Sequence, residues 1–538
     1  MTPHTMGERV TDAKILLRSL LVTKRLLAAR MLLLAVTLLA GCGNPAPAAT
    51  LDPATSTSRL RADKSLTLPG GDWGYPSPFA FYSRGPGYIR MSLLFDTLTW
   101  KDEDGVIPWL AEEWAVSDGG TEWTFTLATG ATWHDGEPLT AEDVAFTFRY
   151  FKANQGAFKW SWPVGKIESV EAVDKETVVL NLTEAIAGAH EGLFGSLPII
   201  PRHIWEGVDD PVKLTSEDAV IGSGPFKLLE YSKEEARYVY EANGDYFKGP
   251  PNVDELTFIN VENQALALET DTIDYASFWG KEIEAVETFR DDESYGIIDG
   301  PSFWVLQTIF NTQRPPFDDV ELRRAVAHAV DRQQIVDQVT HSGAIVASLG
   351  ILSPFTDWHN PDLPAYEHDP ELAEAMLEEA GATDLSLRLI TTAGFAREAE
   401  LVQANLEAVG IEVKVQTGDY STIDGLLREG NFDLAINGHG GIANPAMLET
   451  PTWPAQTYDN TEYDELYEQQ ATTVDETQRR ELVWELQEMI AEDLPVLTLY
   501  HPKMWTVYDA SVLDSWFYTQ GGVGFGIPIS MNKLIFLP

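Results

Sequence analysis

The chain has 538 residues, 44% hydrophobic and 22% charged, with a formal net charge of −46. That length predicts about three domains with ample core; the excess of acid makes nucleic acid a poor partner, and a single cysteine excludes an internal disulfide or a CxxC metal or redox site. The acidity fits a solubilising surface as well as attraction for a cationic ligand, because bulk charge does not decide what a cleft selects.

Lys24, Arg25 and Arg30 precede an apolar run over 31–40 that ends in Leu39-Ala40-Gly41-Cys42. Basic residues, a short apolar segment and small residues before a cysteine form a secretory leader pattern. The run is shorter than the roughly 20 residues that span a bilayer. Its ending resembles the bacterial lipobox, which implies a leader over 1–41 and lipidation of Cys42 as the mature N-terminus. The Pro-, Ala-, Thr- and Ser-rich stretch that follows, to residue 64, has little to bury and predicts a flexible tether.

A first strand begins at Ser65, and 70–79 is too rich in Gly and Pro for regular structure. A helix and a short strand are predicted over 89–99. The stretch EWTFTLATGATWHDGEPLTAEDVAFTFRYF, 122–151, is the most informative. Trp123, Phe125 and Leu127 alternate with Thr124 and Thr126, the period of a half-buried strand. Turns follow at Gly130 and Gly136. Thr140 and Asp143 then have the spacing of a capping box, and Val144, Phe148 and Phe151 share one helical face. Two strands are predicted within 166–182, and a turn into a helix over 197–204.

Gly222-Ser-Gly-Pro-Phe226 lacks the GxxxxGK[ST] pattern and runs into a strand, which excludes a phosphate loop. Strands are expected over 236–241 and 255–261, a helix over 262–270, and an apolar stretch over 273–279. A strong strand over 303–310 is broken by Asn311-Thr-Gln-Arg-Pro-Pro. Asp318, Asp331 and Asp475 are helix caps, Asp369-Pro370 starts another helix, and Gly381 and Gly410 end two. Strands at 385–390, 411–415 and 432–436, alternating with helices at 398–409 and 422–428, predict a parallel sheet with strand-end loops facing a crevice. After the helix at 475–490 a strand over 496–500 carries the chain back to an aromatic tail, 505–536, with a Gly-rich loop at 521–526. No internal repeat is evident.

For catalysis the sequence offers neither HExxH nor GxSxG, and adjacent acids such as Glu112-Glu113 carry little information among 83. Binding needs only a cleft, aromatic walls, a few polar groups and hinges. The segment Asn437-Gly-His-Gly-Gly-Ile-Ala-Asn-Pro445 is expected to be a loop whose glycines admit a ligand close to the backbone, with Asn437, His439 and Asn444 as donors and acceptors. Trp279, Trp304 and Trp453 are candidates for stacking on a sugar, a ring or a cationic group.

The 122–151 stretch, Trp100 to Trp114 and Gly222-Ser-Gly-Pro-Phe226 resemble the extracytoplasmic solute-binding proteins of family 5, the peptide/nickel-type receptors of ABC importers, over nearly the whole chain after Lys64. The resemblance implies an α/β fold of the periplasmic-binding-protein type II class, with two lobes, a hinge and an extra middle domain. It places the first lobe at 65–100, 222–309 and 500–538, the middle domain at 101–221 and the second lobe at 310–499. Phe310, Asn311 and Tyr500 become hinge residues, and Trp73, Tyr75 and Phe79 join the candidate cleft. It implies a lipid-anchored extracytoplasmic monomer without cofactor or resident metal, taking a small-molecule or peptide ligand to ABC permease and ATPase subunits. Peptide-binding relatives pair the ligand's ammonium with an aspartate near Asn444-Pro445, where this chain has no carboxylate, and a buried ammonium without a counter-charge is costly. Nickel-type relatives contact a metal chelate through a histidine, a role His439 is placed to fill, although one imidazole is a weak metal site. A nickel-chelate or oligosaccharide receptor, a signalling ectodomain and a secreted hydrolase are the other readings.

Overall fold

The computed structural model describes residues 64–82, 85–158, 162–450, 457–524, 526–527 and 529–538. The expected leader, most of the tether, Cys42 and Trp453 lie outside the described residues.

Lobe I holds a four-stranded sheet in the order Ser65–Gly70, Glu255–Asn260, Arg237–Ala242 and Phe226–Ser232, the first pair parallel and the others antiparallel. Beside it stands an antiparallel sheet of Tyr275–Trp279, Met504–Asp509 and Tyr295–Gly300. Two hydrogen bonds join the sheets: the Asp274 amide donates to Thr67 O at 2.8 Å, and the Thr67 amide donates to the Asp274 carboxylate Oδ2 at 2.7 Å.

The middle domain is an antiparallel sheet in the order Ala111–Val116, Glu122–Leu127, Thr177–Leu182 and Ile167–Ala172, covered by the helix Ala141–Ala153. Trp123, Phe125 and Leu127 are buried on one face, as their alternation predicts. The Thr140 amide and hydroxyl both donate to Asp143 Oδ2 at 2.9 Å, while Asp143 Oδ1 accepts from the Arg202 amide at 3.0 Å. One carboxylate thus starts the helix and fastens it to the next segment.

Lobe II is built on a six-stranded sheet in the order Ala344–Val346, Val496–Pro502, Trp304–Phe310, Leu434–Gly440, Ser386–Thr392 and Glu412–Gly418. The last three strands are parallel, as the strand–helix alternation predicts. Val496–Pro502 is buried throughout, and Trp304–Phe310 sends Leu306 and Phe310 to one apolar cluster and Val305 and Ile309 to another. Helix starts follow the expected chemistry: Asp331 accepts from Gln334 N at 2.8 Å, Asp369 from Leu372 N at 3.0 Å and Asp475 from Gln478 N at 2.9 Å. The cap expected at Asp318 falls one residue on, where Asp319 accepts from Glu321 N.

A continuous apolar core runs from Leu66 and Phe258 through Trp100, Phe125 and Phe148 to Phe536. Most of lobe I therefore shares one core with the middle domain, its second sheet adding a smaller cluster around Phe278 and Trp505, whereas lobe II has cores of its own. At the base of that shared core Asp96 and Lys533 are fully buried, with Nζ to Oδ1 at 2.5 Å. Asp96 also accepts from Trp109 Nε1 at 2.7 Å, Tyr246 Oη at 3.0 Å and Ser223 Oγ at 3.1 Å. The Lys533 ammonium lies 4.1 Å from the Trp100 ring centre. Removing one partner of such a pair leaves an uncompensated charge in the core. We therefore expect Lys533→Met to cost about 3–5 kcal/mol, read from the shift in the urea midpoint. A loss below about 1 kcal/mol would mean that the aromatic rings and hydroxyls alone hold the tail.

Candidate functional site

The chain passes between the sheets of lobe I and lobe II at two neighbouring places. The first is 301–303, between Tyr295–Gly300 and Trp304–Phe310; the second is Lys503, between Val496–Pro502 and Met504–Asp509. The hinge expected at Phe310 and Asn311 is displaced from this crossing. Trp304–Phe310 is paired on both sides within the lobe II sheet, so Phe310 stands at the strand's far end. Asn311 Nδ2 there donates to the carbonyls of Gly430 and Phe432 at 2.9 and 3.0 Å. Tyr500 likewise lies inside the sheet, three residues before Lys503.

Among the described residues, two of the cavities lie between lobe II and the rest. One, about 320 Å³, lies at the crossing, with Trp279 and Lys281 on the lobe I side and Trp304, Phe395, Glu398 and Tyr500 on the other. Glu398 is 4% exposed and accepts from Tyr500 Oη at 2.8 Å. Burial raises its pKa, with its own backbone amide, Tyr500 and Lys281 opposing the rise. The other cavity, about 530 Å³, separates the middle domain from lobe II; its lining includes Lys166, Glu191, Asn444, Glu449, Glu468 and Arg479. The two walls touch where Ala187 N donates to Ala471 O at 2.9 Å. Glu449 has its pKa raised by burial and by the charge of Glu468, with Lys166 opposing. Burial also works against ionisation of Glu191, but Lys101 Nζ at 2.6 Å outweighs it and holds the pKa below the usual carboxylate range.

The residues expected to form the site divide between these places. Trp279 and Trp304 line the crossing cavity, and Asn444 lines the larger one while its side chain accepts from Ala446 N at 2.9 Å. Trp73 and Tyr75 line neither. The Trp73 amide donates to Tyr238 Oη at 2.8 Å, and Tyr75 packs edge-on against Tyr231 with its hydroxyl on Ser216 O at 3.0 Å. Phe79 is buried among Phe151 and Trp205.

The Asn437–Gly440 segment, expected to be an open loop, continues the strand Leu434–Gly440 and pairs with Trp304 to Gln307. Its glycines serve packing: a Cβ on Gly438 would meet Trp304 Cη2 at 2.0 Å. Asn437 Oδ1 accepts from Gly438 N at 2.8 Å. His439 is buried, its Nδ1 donating to Gly440 O at 2.8 Å, and desolvation lowers its pKa to about 4. The imidazole is therefore neutral near pH 7 and lines neither cavity. Sequence reasoning missed Glu398, Phe395, Glu449, Glu468 and Arg479. Isolated charges on amphipathic helices and turns in so acidic a chain carry no signal until the fold gathers them.

The family model for bacterial extracellular solute-binding proteins, family 5 Middle, matches residues 105–461. The chain belongs to this family. It is accordingly an extracytoplasmic solute-binding protein of the ABC-transporter type and not an enzyme. It is 27% identical over 449 residues to the dipeptide-binding protein of Escherichia coli, covering 74% of this chain and 82% of the relative. With the oligopeptide-binding protein AppA of Bacillus subtilis it shares 29% identity over 505 residues, covering 84% and 90%. The solved ABC transporter substrate-binding protein CtaP of Listeria monocytogenes superposes with a TM-score of 0.73 at 27% identity, covering 83% of this chain and 94% of that one. NikA of Brucella suis, solved with Fe(III)-EDTA, shares the fold with a TM-score of 0.75 at 24% identity, covering 86% and 99%. The two-lobed type II architecture of this family 5 receptor is thus common to its solved neighbours.

Gly438→Ala tests the strand reading of the Gly-rich segment. The added methyl forces the Trp304 ring off the strand, so the midpoint of thermal unfolding should fall by several degrees, roughly 1–3 kcal/mol, with a changed tryptophan emission. Wild-type stability and emission would mean that the glycine belongs to an open loop after all.

Proposed function

We propose that this receptor captures a short peptide between lobe II and the body formed by lobe I and the middle domain, and delivers it to ABC permease and ATPase subunits. The observation that carries the reading is the charge pattern of the larger cavity. Glu449 and Glu468 stand on its lobe II wall, and Lys166 and Arg479 also line it. A peptide zwitterion brings one ammonium and one carboxylate, and such a lining offers partners for both. Burial first and the charge of Glu468 second raise the Glu449 pKa, and an ammonium placed beside the pair offsets both. These acids answer the missing carboxylate at Asn444-Pro445. The names of the relatives in Escherichia coli and Bacillus subtilis, a dipeptide- and an oligopeptide-binding protein, support the same class of ligand. No histidine lines either cavity among the described residues, which weighs against direct metal contact. Five charged side chains, Glu191, Glu449, Glu468, Lys166 and Arg479, suit a zwitterion better than a neutral oligosaccharide. The receptor acts as a monomer held to the membrane by a lipid on Cys42, a reading supported by the leader and the Leu39-Ala40-Gly41-Cys42 ending.

Calorimetric titration with trialanine, its N-acetylated form and its C-amidated form tests the reading. Trialanine should bind one to one without turnover, and either cap should weaken binding at least about tenfold, or about 1.4 kcal/mol. Equal affinity for all three would contradict it. In the producing cell, Cys42→Ser should move the protein from the membrane fraction to the soluble one; retention in the membrane would contradict the anchor.

A further inference from the structure

The cavity at the crossing differs in chemistry from the larger one. Its walls are mainly aromatic: Trp279 comes from the end of a lobe I strand, Trp304 and Tyr500 from adjacent strands of lobe II, and Phe395 from the turn before the helix Ala396–Ala408. The Trp304 and Phe395 ring centres are 6.0 Å apart. Among these rings lies the carboxyl of Glu398, 4% exposed and held by the Tyr500 hydroxyl at 2.8 Å. Lys281 is the other charged residue of the lining, and it is solvent-exposed. A carboxylate this deeply buried has lost most of its water, and its pKa rises for that reason. What restores the balance is a cation whose carbon skeleton tolerates aromatic walls. Aromatic faces attract such cations on their own account, and most strongly where water is excluded.

We propose that the crossing cavity is a subsite for an organic cation, whose ammonium or guanidinium group sits among Trp279, Trp304, Phe395 and Tyr500 with Glu398 as its counter-charge. The proposal rests on the peptide reading only for the source of the cation, which is a basic side chain of a bound peptide or a free quaternary ammonium solute. The placement matters for closure as well. The walls come from both lobes and adjoin the crossing at 301–303 and Lys503, so a cation bound there contacts both sides of the hinge. A ligand that does so favours the closed arrangement by as much as its contacts differ between the two states.

Calorimetric titrations with two matched pairs test this: Ala-Lys-Ala against Ala-norleucine-Ala, and choline against its neutral isostere 3,3-dimethyl-1-butanol. In the wild-type chain at least one cation should bind at least tenfold tighter than its neutral partner. Glu398→Gln keeps the shape and an acceptor for Tyr500, and should reduce that preference to within twofold. A preference for the lysine peptide identifies a basic side chain as the occupant. Choline binding that Glu398→Gln abolishes, without any tripeptide binding, supports the subsite and removes the peptide reading. If neither cation is preferred, or Glu398→Gln leaves the preference intact, the subsite is overturned; tripeptide binding in that case leaves the peptide reading standing. The wild-type comparison does not depend on a variant folding.

Discussion

Asp96 and Lys533 meet 2.5 Å apart with no exposure to solvent, and Trp109, Tyr246 and Ser223 complete the shell of the carboxylate. Burying two charges is expensive, and the arrangement is tolerable because the remaining acceptor sites on Asp96 are filled and aromatic faces surround the ammonium. Its topological effect is large. Asp96 precedes the middle domain, Ser223 and Tyr246 follow it, and Lys533 lies at the chain's return to lobe I, so one cluster ties together segments separated by 437 residues. The apolar core around Phe536 and the Asn532 hydrogen bonds to Trp100 and Lys101 join the same segments, so the ion pair sits inside a wider anchor.

That anchoring sets how the packing divides. Lobe I and the middle domain share a continuous core, while lobe II has a six-stranded sheet and separate cores. Two strand connections join the halves, one of three residues and one of a single residue. Such short links permit a change of angle and little else, the mechanics of hinge closure. The larger cavity lies where the outer walls meet, near the Ala187–Ala471 contact, and the smaller beside the links. On the proposed reading, a solute spanning the gap exchanges solvent contacts for contacts to both bodies, and that difference would favour closure.

Much of this was legible in the sequence wherever the signal was local. Trp123, Phe125 and Leu127 announced a strand by alternation; Asp331, Asp369-Pro370 and Asp475 announced helix starts because a side-chain acceptor must meet free amides. The strand–helix alternation after 385 foretold the parallel pairs. What stayed hidden depends on partners far apart in the chain. Gly438 and Gly440 suggest a loop until Trp304, more than 130 residues earlier, is found to cover them. His439 was a ligand candidate because its Gly-rich segment was expected to be a loop; here sheet pairing with Val305 buries it. The break at Asn311 drew attention to the far end of its strand, although Gly300-Pro301 punctuates the crossing at 301–303 as well: two breaks flank one strand, and only the sheet pairing tells which of them leaves the lobe. Glu398 and Glu449 could not be distinguished among 83 acids without knowing which of them lose their water.

The central claim, that a guest draws two rigid bodies together, is tested most directly by single-molecule energy transfer. Dyes would be attached at Val173→Cys on the middle domain and Leu372→Cys on lobe II, both exposed positions, in a Cys42→Ser background that leaves no other cysteine. The account predicts a broad or open distribution in the free protein that collapses to one high-efficiency state when a bound ligand saturates the cleft. An unchanged distribution at saturation would contradict it.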